Sequence, residues 1–141
     1  MILNCAIIDE DPEALALLKH YVEETPSLNL IGAYRNAIEA VDGIHHNHLD
    51  ILFLAIHMQQ ISGLEFAKLV PMNVKIIFTT AFKEYAIEAY KVNAFDYLVK
   101  PIQYEDFMQT CQKVFDHYMQ DDAYNPIKRH EEMPEGSYTT S

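Results

Sequence analysis

The chain has 141 residues, half of them hydrophobic and 11% aromatic, which suits one folded domain and excludes intrinsic disorder of the chain as a whole. Lys and Arg number 10 against 21 for Asp and Glu, a net charge of -11 that repels phosphate backbones and anionic lipid, so nucleic-acid and membrane binding by this chain are not expected. Two well-separated cysteines, Cys5 and Cys111, fit neither a disulfide framework nor a zinc ribbon and read as reduced, buried thiols of a cytoplasmic protein.

Short apolar strands alternate with amphipathic helices. Residues 2–8 (ILNCAII) are a nearly continuous apolar run, the pattern of a strand buried on both faces of a parallel sheet, and the run stops at Asp9-Glu10-Asp11. Those acidic residues cut the run too short for a signal peptide, and no later run approaches the ~20 residues of a membrane span. Pro12 opens the first helix, whose apolar stripe is Ala14, Leu15, Leu17, Leu18, Tyr21 and Val22 before Thr25-Pro26 ends it. Residues 28–34 read as a second strand and 36–44 as a second helix, with His45-His46-Asn47-His48 as the loop beyond. Residues 50–55 (DILFLA) are the third strand. Ser62 caps a short helix predicted over 63–70, Pro71 follows it, and residues 74–79 (VKIIFT) form the fourth strand.

Phe82, Tyr85, Ala86, Ala89 and Tyr90 share one face of a fourth helix. Residues 95–99 are a short fifth strand leading into Lys100-Pro101. A last helix over 104–119 buries Phe107, Met108, Cys111, Val114, Phe115 and Tyr118. Five such units predict an α/β domain over residues 1–120: a doubly wound parallel sheet with right-handed crossovers and helices on both faces. From residue 121 the periodicity fails, and Pro126, Pro134, Gly136 and Ser137 with scattered charges read as a flexible tail or linker over 121–141.

In an open parallel sheet ligands bind beyond the carboxyl ends of the strands. The first strand delivers Asp9, Glu10 and Asp11 there, the third Ala55, Ile56 and His57, the fourth Thr79 and Thr80, and the fifth Lys100-Pro101. Clustered carboxylates repel one another unless a cation or a lysine neutralises them, and hard oxygen ligands of this kind suit Mg²⁺. A threonine hydroxyl and a lysine ammonium beside them are what a phosphoryl group on a nearby nucleophile needs. The plainer reading of the acidic run is that it caps the first helix.

These segments resemble a bacterial response-regulator receiver domain, closest to those that precede LytTR-type DNA-binding domains. The resemblance covers residues 1–120 and rests on IIDEDPEA at 7–14, DILFLAIHM at 50–58, SGLEF at 62–66, IIFTTAFKEYAIEAY at 76–90 and NAFDYLVKPI at 93–102. It implies a flavodoxin-like (βα)5 fold with strand order 2-1-3-4-5 and a cis Lys100–Pro101 bond. It assigns Asp9 and Glu10 to the acidic pair that holds Mg²⁺, Thr80 to the hydroxyl that meets an incoming phosphoryl group, and Lys100 to the lysine before the proline. Tyr97 falls where the family keeps an aromatic switch residue, with an ordinary core tyrosine as the competing reading.

One position departs from the pattern. The family's phosphoacceptor aspartate ends the third strand, and Ala55 stands there. Aspartyl phosphorylation needs a carboxylate nucleophile, which a methyl group does not supply. The loop beyond it, His57-Met58-Gln59-Gln60, lacks the family's usual proline, and Glu10 replaces a more usual aspartate. Loss of a carboxylate at 55 also removes a metal ligand, so Mg²⁺ is expected to bind weakly and not to be required. Asp50 is no substitute, lying five residues back and roughly 16 Å away along an extended strand. His57 is a candidate nucleophile or ligand, against the plainer reading of a solvated loop histidine.

The expected molecule is a non-enzymatic pseudo-receiver of a two-component system. It acts through protein contacts and homodimerises through the fourth helix, fifth strand and last helix. A histidine kinase and a C-terminal DNA-binding domain of a longer parent protein are its expected partners. An ordinary LytTR-type regulator made phosphorylation-dead by an engineered Asp→Ala change fits position 55 equally. A His45, His46, His48 metal site needs a further well-placed ligand. A doubly wound small-ligand domain binding flavin or nucleotide needs a phosphate-cradling loop where DEDPE stands, and no Gly-x-Ser-x-Gly hydrolase elbow is present.

Overall fold

The computed structural model describes residues 1–46 and 48–124. Five strands, β1 (Leu3–Ile8), β2 (Leu28–Tyr34), β3 (Ile51–Ala55), β4 (Lys75–Thr80) and β5 (Asp96–Val99), form one parallel sheet in the order β2-β1-β3-β4-β5, as expected. The helices are α1 (Pro12–Glu23), α2 (Ala37–His46), α3 (Gly63–Ala67), α4 (Ala86–Lys91) and α5 (Tyr104–Tyr124), with a 3-10 turn over Lys83–Tyr85 ahead of α4.

Every residue of β3 is buried, which is why the central strand reads as an unbroken apolar run. Alternation along the strands sends side chains to two cores. Cys5, Ile7, Phe53 and Ile77 meet Leu18 and Val22 of α1 and Phe107, Cys111 and Val114 of α5. Ile8, Leu52, Leu54 and Phe78 meet Ala37 and Ala40 of α2, Phe66 of α3 and Ala89 of α4. Phe53 and Phe107 stack with ring centroids 5.5 Å apart, and full burial of each such ring contributes about 2–3 kcal/mol.

The caps follow the local sequence. Asp11 accepts a hydrogen bond from the N–H of Glu13 at 3.1 Å, with Pro12 in the first turn of α1, and Ser62 Oγ accepts from the N–H of Glu65 at 3.1 Å to start α3. The backbone of Gly63 lies so close to the end of β3 that a Cβ there would collide with the carbonyl oxygen of Ala55.

Some bounds differ from those read in the sequence. Helix α3 stops at Ala67, since Lys68 onward turns through separate backbone bonds, and α4 forms only from Ala86. His45 and His46 belong to α2, not to a loop, while Asn47 and the side chains of His45 and His46 lie outside the described residues. Helix α5 runs to Tyr124 rather than Met119, and the reading of 125–141 as a linker falls outside the described residues. Both cysteines are buried and free, and burial pushes each thiol up to about 12. Among the described residues no helix is long and apolar enough to cross a membrane.

Candidate functional site

The parallel register carries the polar residues at the carboxyl ends of the strands to one end of the sheet. Ala55 at the end of β3 pairs with Thr79, and Thr80 pairs with Val99 just before Lys100. Asp9 continues β1, its N–H donating to the carbonyl of Tyr34 at 3.0 Å. Asp9, Ala55, Thr80 and Lys100 therefore surround one point, as their positions at four strand ends predict.

Asp9 is 1% exposed and is held on both oxygens. Lys100 Nζ donates to Oδ1 at 3.2 Å and lies 2.9 Å from Oδ2, while the N–H of Asp11 donates to Oδ1 at 3.0 Å. Oδ2 accepts no hydrogen bond of good geometry, so the lysine's charge is what compensates its burial. The Lys100 N–H donates to the carbonyl of Thr80 at 2.7 Å, and the Lys100–Pro101 bond is cis, as the resemblance implies. Glu10 turns the other way: its Oε2 accepts from the N–H of Gln59 at 2.9 Å, fastening the β1 end to the loop after β3.

The Thr80 hydroxyl accepts from the N–H of Phe82 at 3.0 Å and closes the turn out of β4. Thr79 is buried, and its hydroxyl has no hydrogen-bond partner among the described residues. Tyr97 is half-buried beneath α4, its ring edge-on to that of Tyr90 with centroids 6.2 Å apart, so it belongs to the α4 face more than to the Asp9–Lys100 cluster.

Two carboxylates, Asp9 and Glu10, remain as donors for the magnesium ion that the resemblance implies. One is occupied by an ammonium and the other by a peptide N–H, and position 55 offers a methyl group. Among the described residues no group of three or more His, Cys, Asp or Glu side chains is arranged to hold a metal ion. The donor set does not fit a resident Mg²⁺, which demands near-octahedral oxygen coordination.

Asp50 sits at the opposite pole. Its N–H donates to the carbonyl of Asn4 at 2.9 Å, its Oδ2 accepts from the N–H of Asn4 at 2.8 Å, and His48 Nε2 lies 3.7 Å from its Oδ1. It fastens β1 to β3 and lies far from the Lys100 cluster.

His57, a candidate nucleophile or ligand in the sequence, has ring contacts that the sequence did not show, and Asp96 has partners that it did not show either. His57 lies edge-on to the rings of Phe82 and Tyr85, with centroids 5.4 and 4.8 Å away, beside a cleft of about 460 Å³ that Glu10, Met58 and Gln59 also line. Buried Asp96 accepts from the Thr110 hydroxyl at 2.7 Å and from Lys113 Nζ at 3.2 Å, joining β5 to α5. An acidic residue opening an otherwise apolar strand was the available signal for the second; partners distant in sequence hid the first.

A family model for the response regulator receiver domain matches residues 5–112. The transcriptional regulatory protein BtsR of Escherichia coli (strain K12) is 39% identical over 102 residues, 71% of this chain and 43% of that protein. An uncharacterized response regulatory protein of Vibrio cholerae is 34% identical over 127 residues, 89% of this chain and 53% of that protein. The chain thus spans about half the length of the curated relatives it matches. Among solved structures, the response regulatory domain of protein mrkE from Klebsiella pneumoniae is similar with a TM-score of 0.75 and 26% identity, covering 84% of this chain and 99% of that one.

Proposed function

The chain belongs to the response regulator receiver domain family, and from that premise we propose that it is a pseudo-receiver: a signalling domain that takes no phosphate at position 55 and acts through protein contacts. The observation that carries this reading is the methyl group of Ala55 at the end of β3, 1% exposed and in register with Thr79. Thr80 and Lys100 retain the positions of the phosphate-contacting pair, with Tyr97 as the switch aromatic, yet no carboxylate stands between them to accept a phosphoryl group. Asp9 and Glu10, the acidic pair, are held by Lys100 and Gln59, so Mg²⁺ is neither required nor bound tightly.

The domain is not an enzyme. With a net charge of -11 it binds neither nucleic acid nor membrane directly, and its compartment is the cytoplasm. Its output runs through the face made by α4, β5 and α5, where Ile87 and Tyr90 are more than half exposed, and a second copy of the chain docks there. In a longer protein a LytTR-type DNA-binding domain follows residues 1–120 through the segment 121–141, and the upstream partner is a histidine kinase. The similarity to BtsR, a transcriptional regulatory protein, supports a role in transcription regulation.

Intact mass after incubation with acetyl phosphate and Mg²⁺ tests the reading, with Ala55→Asp measured in parallel. The expected result is an unmodified chain carrying Ala55 and a variant that gains one phosphoryl group. A phosphoryl group on the chain carrying Ala55 overturns it. Comparison with the source gene separates a natural pseudo-receiver from an engineered Asp→Ala form of an ordinary LytTR-type regulator.

A further inference from the structure

Helix α4 is weakly tethered by its own sequence. It has six residues, follows a 3-10 turn, lacks a side-chain cap at its start, and buries only Ala89. An element with so few buried contacts opens locally at low cost, so whatever else touches it decides its position. Among the described residues, ring contacts at both ends do so. Tyr97 of β5 meets Tyr90 near its end. At its start, His57 from the loop after β3 lies edge-on to Phe82 and Tyr85 with interplanar angles of 83°, and those two rings lie 6.3 Å apart, completing a three-ring cluster.

The loop that carries His57 is itself fixed. Gln59 donates its N–H to Glu10, and Gly63 donates its N–H to the carbonyl of Ile56 at 2.7 Å. A chain of contacts therefore runs from β1 through Glu10 and Gln59 to His57, and from His57 across the rings to the start of α4. No covalent group takes part in it.

We propose that His57 is a positioning residue that latches the β4–α4 connection through Phe82 and Tyr85, so that the disposition of α4 is set by ring contacts where a phosphoryl group has no acceptor. The latch rests on the pseudo-receiver reading for its purpose, but not for its geometry. It fixes the outward presentation of Ile87 and Tyr90, the exposed apolar residues of α4. It also assigns a function to a loop whose residues at 57, 59 and 60 are exposed and which the Gln59–Glu10 bond fastens to β1.

Amide hydrogen exchange tests the latch without any phosphodonor, on the natural chain, His57→Ala and His57→Phe. His57 is exposed, so neither substitution empties a core site. The expected result is exchange about tenfold faster across residues 82–91 in His57→Ala, unchanged rates in β1 and β3, and recovery in His57→Phe, which restores an aromatic edge. Unchanged rates over 82–91 in His57→Ala overturn the proposal. Equal acceleration in β1 and β3, or failure of His57→Phe to recover, also overturns it, because the histidine then acts as general structural support. Failure of the pseudo-receiver reading is seen separately, as a phosphoryl group on the chain carrying Ala55.

Discussion

The ammonium of Lys100 lies 2.9 Å from Oδ2 of Asp9 and joins the end of β5 to the end of β1 across the width of the sheet. The carboxylate is almost wholly buried while the lysine side chain keeps 20% of its exposure, so the pair is asymmetric: losing the lysine strands a buried charge.

Lys100→Met is accordingly expected to destabilise the fold by about 2–3 kcal/mol, below the roughly 3–5 kcal/mol of a fully buried broken pair because the ammonium is partly solvated. Adding Asp9→Asn should recover most of that loss, since it removes the unpaired charge. Urea denaturation of the two single variants and the double variant gives the coupling directly. A double variant no more stable than Lys100→Met contradicts this account.

Magnesium should leave the natural chain's melting temperature unchanged at about 1 mM, because a ligand stabilises only in proportion to its binding. Ala55→Asp adds an oxygen donor and should show a rise under the same conditions. Differential scanning fluorimetry over a magnesium series makes the comparison.

Light scattering should give a dimer mass at high concentration. Ile87→Asp, placed on an exposed position of α4, should weaken self-association at least about tenfold while leaving the thermal midpoint nearly unaltered. A monomer at every concentration counts against the dimer.

The thiols of Cys5 and Cys111 are each pushed up from 9.0 to about 12, in both cases chiefly by burial. The folded state therefore holds protons that the unfolded chain releases above pH 9. The thiols' contribution to stability should be constant below that pH and fall between about pH 9 and 12, by up to about 1.4 kcal/mol per unit for each thiol. Urea midpoints at pH 8 and pH 10 should differ less in Cys5→Ala than in the natural chain.

The strands of the sheet were legible because β1, β3 and β4 are buried on both faces, and such strands announce themselves as apolar runs whatever surrounds them; their order came from the resemblance to receiver domains. Asp9, Ala55, Thr80 and Lys100 were legible because strand ends share a pole in any parallel sheet. The His57 ring cluster was not, since its members come from two loops whose approach depends on tertiary packing and leaves no period in the sequence. Helix α4 also escaped in part: the apolar spacing from Phe82 to Tyr90 is helical, but the first turn adopts 3-10 geometry and leaves Phe82 half exposed against His57.

Gly63 bears on how this domain tolerates evolutionary change. A side chain there would collide with the carbonyl of Ala55 and lift α3 away from the sheet, whether or not any phosphate chemistry survives. The exposed side chains at 57, 59 and 60 face no such steric wall. Folding alone therefore holds position 63 to glycine whatever residue ends β3, a limit set by backbone contact and independent of any chemistry at position 55.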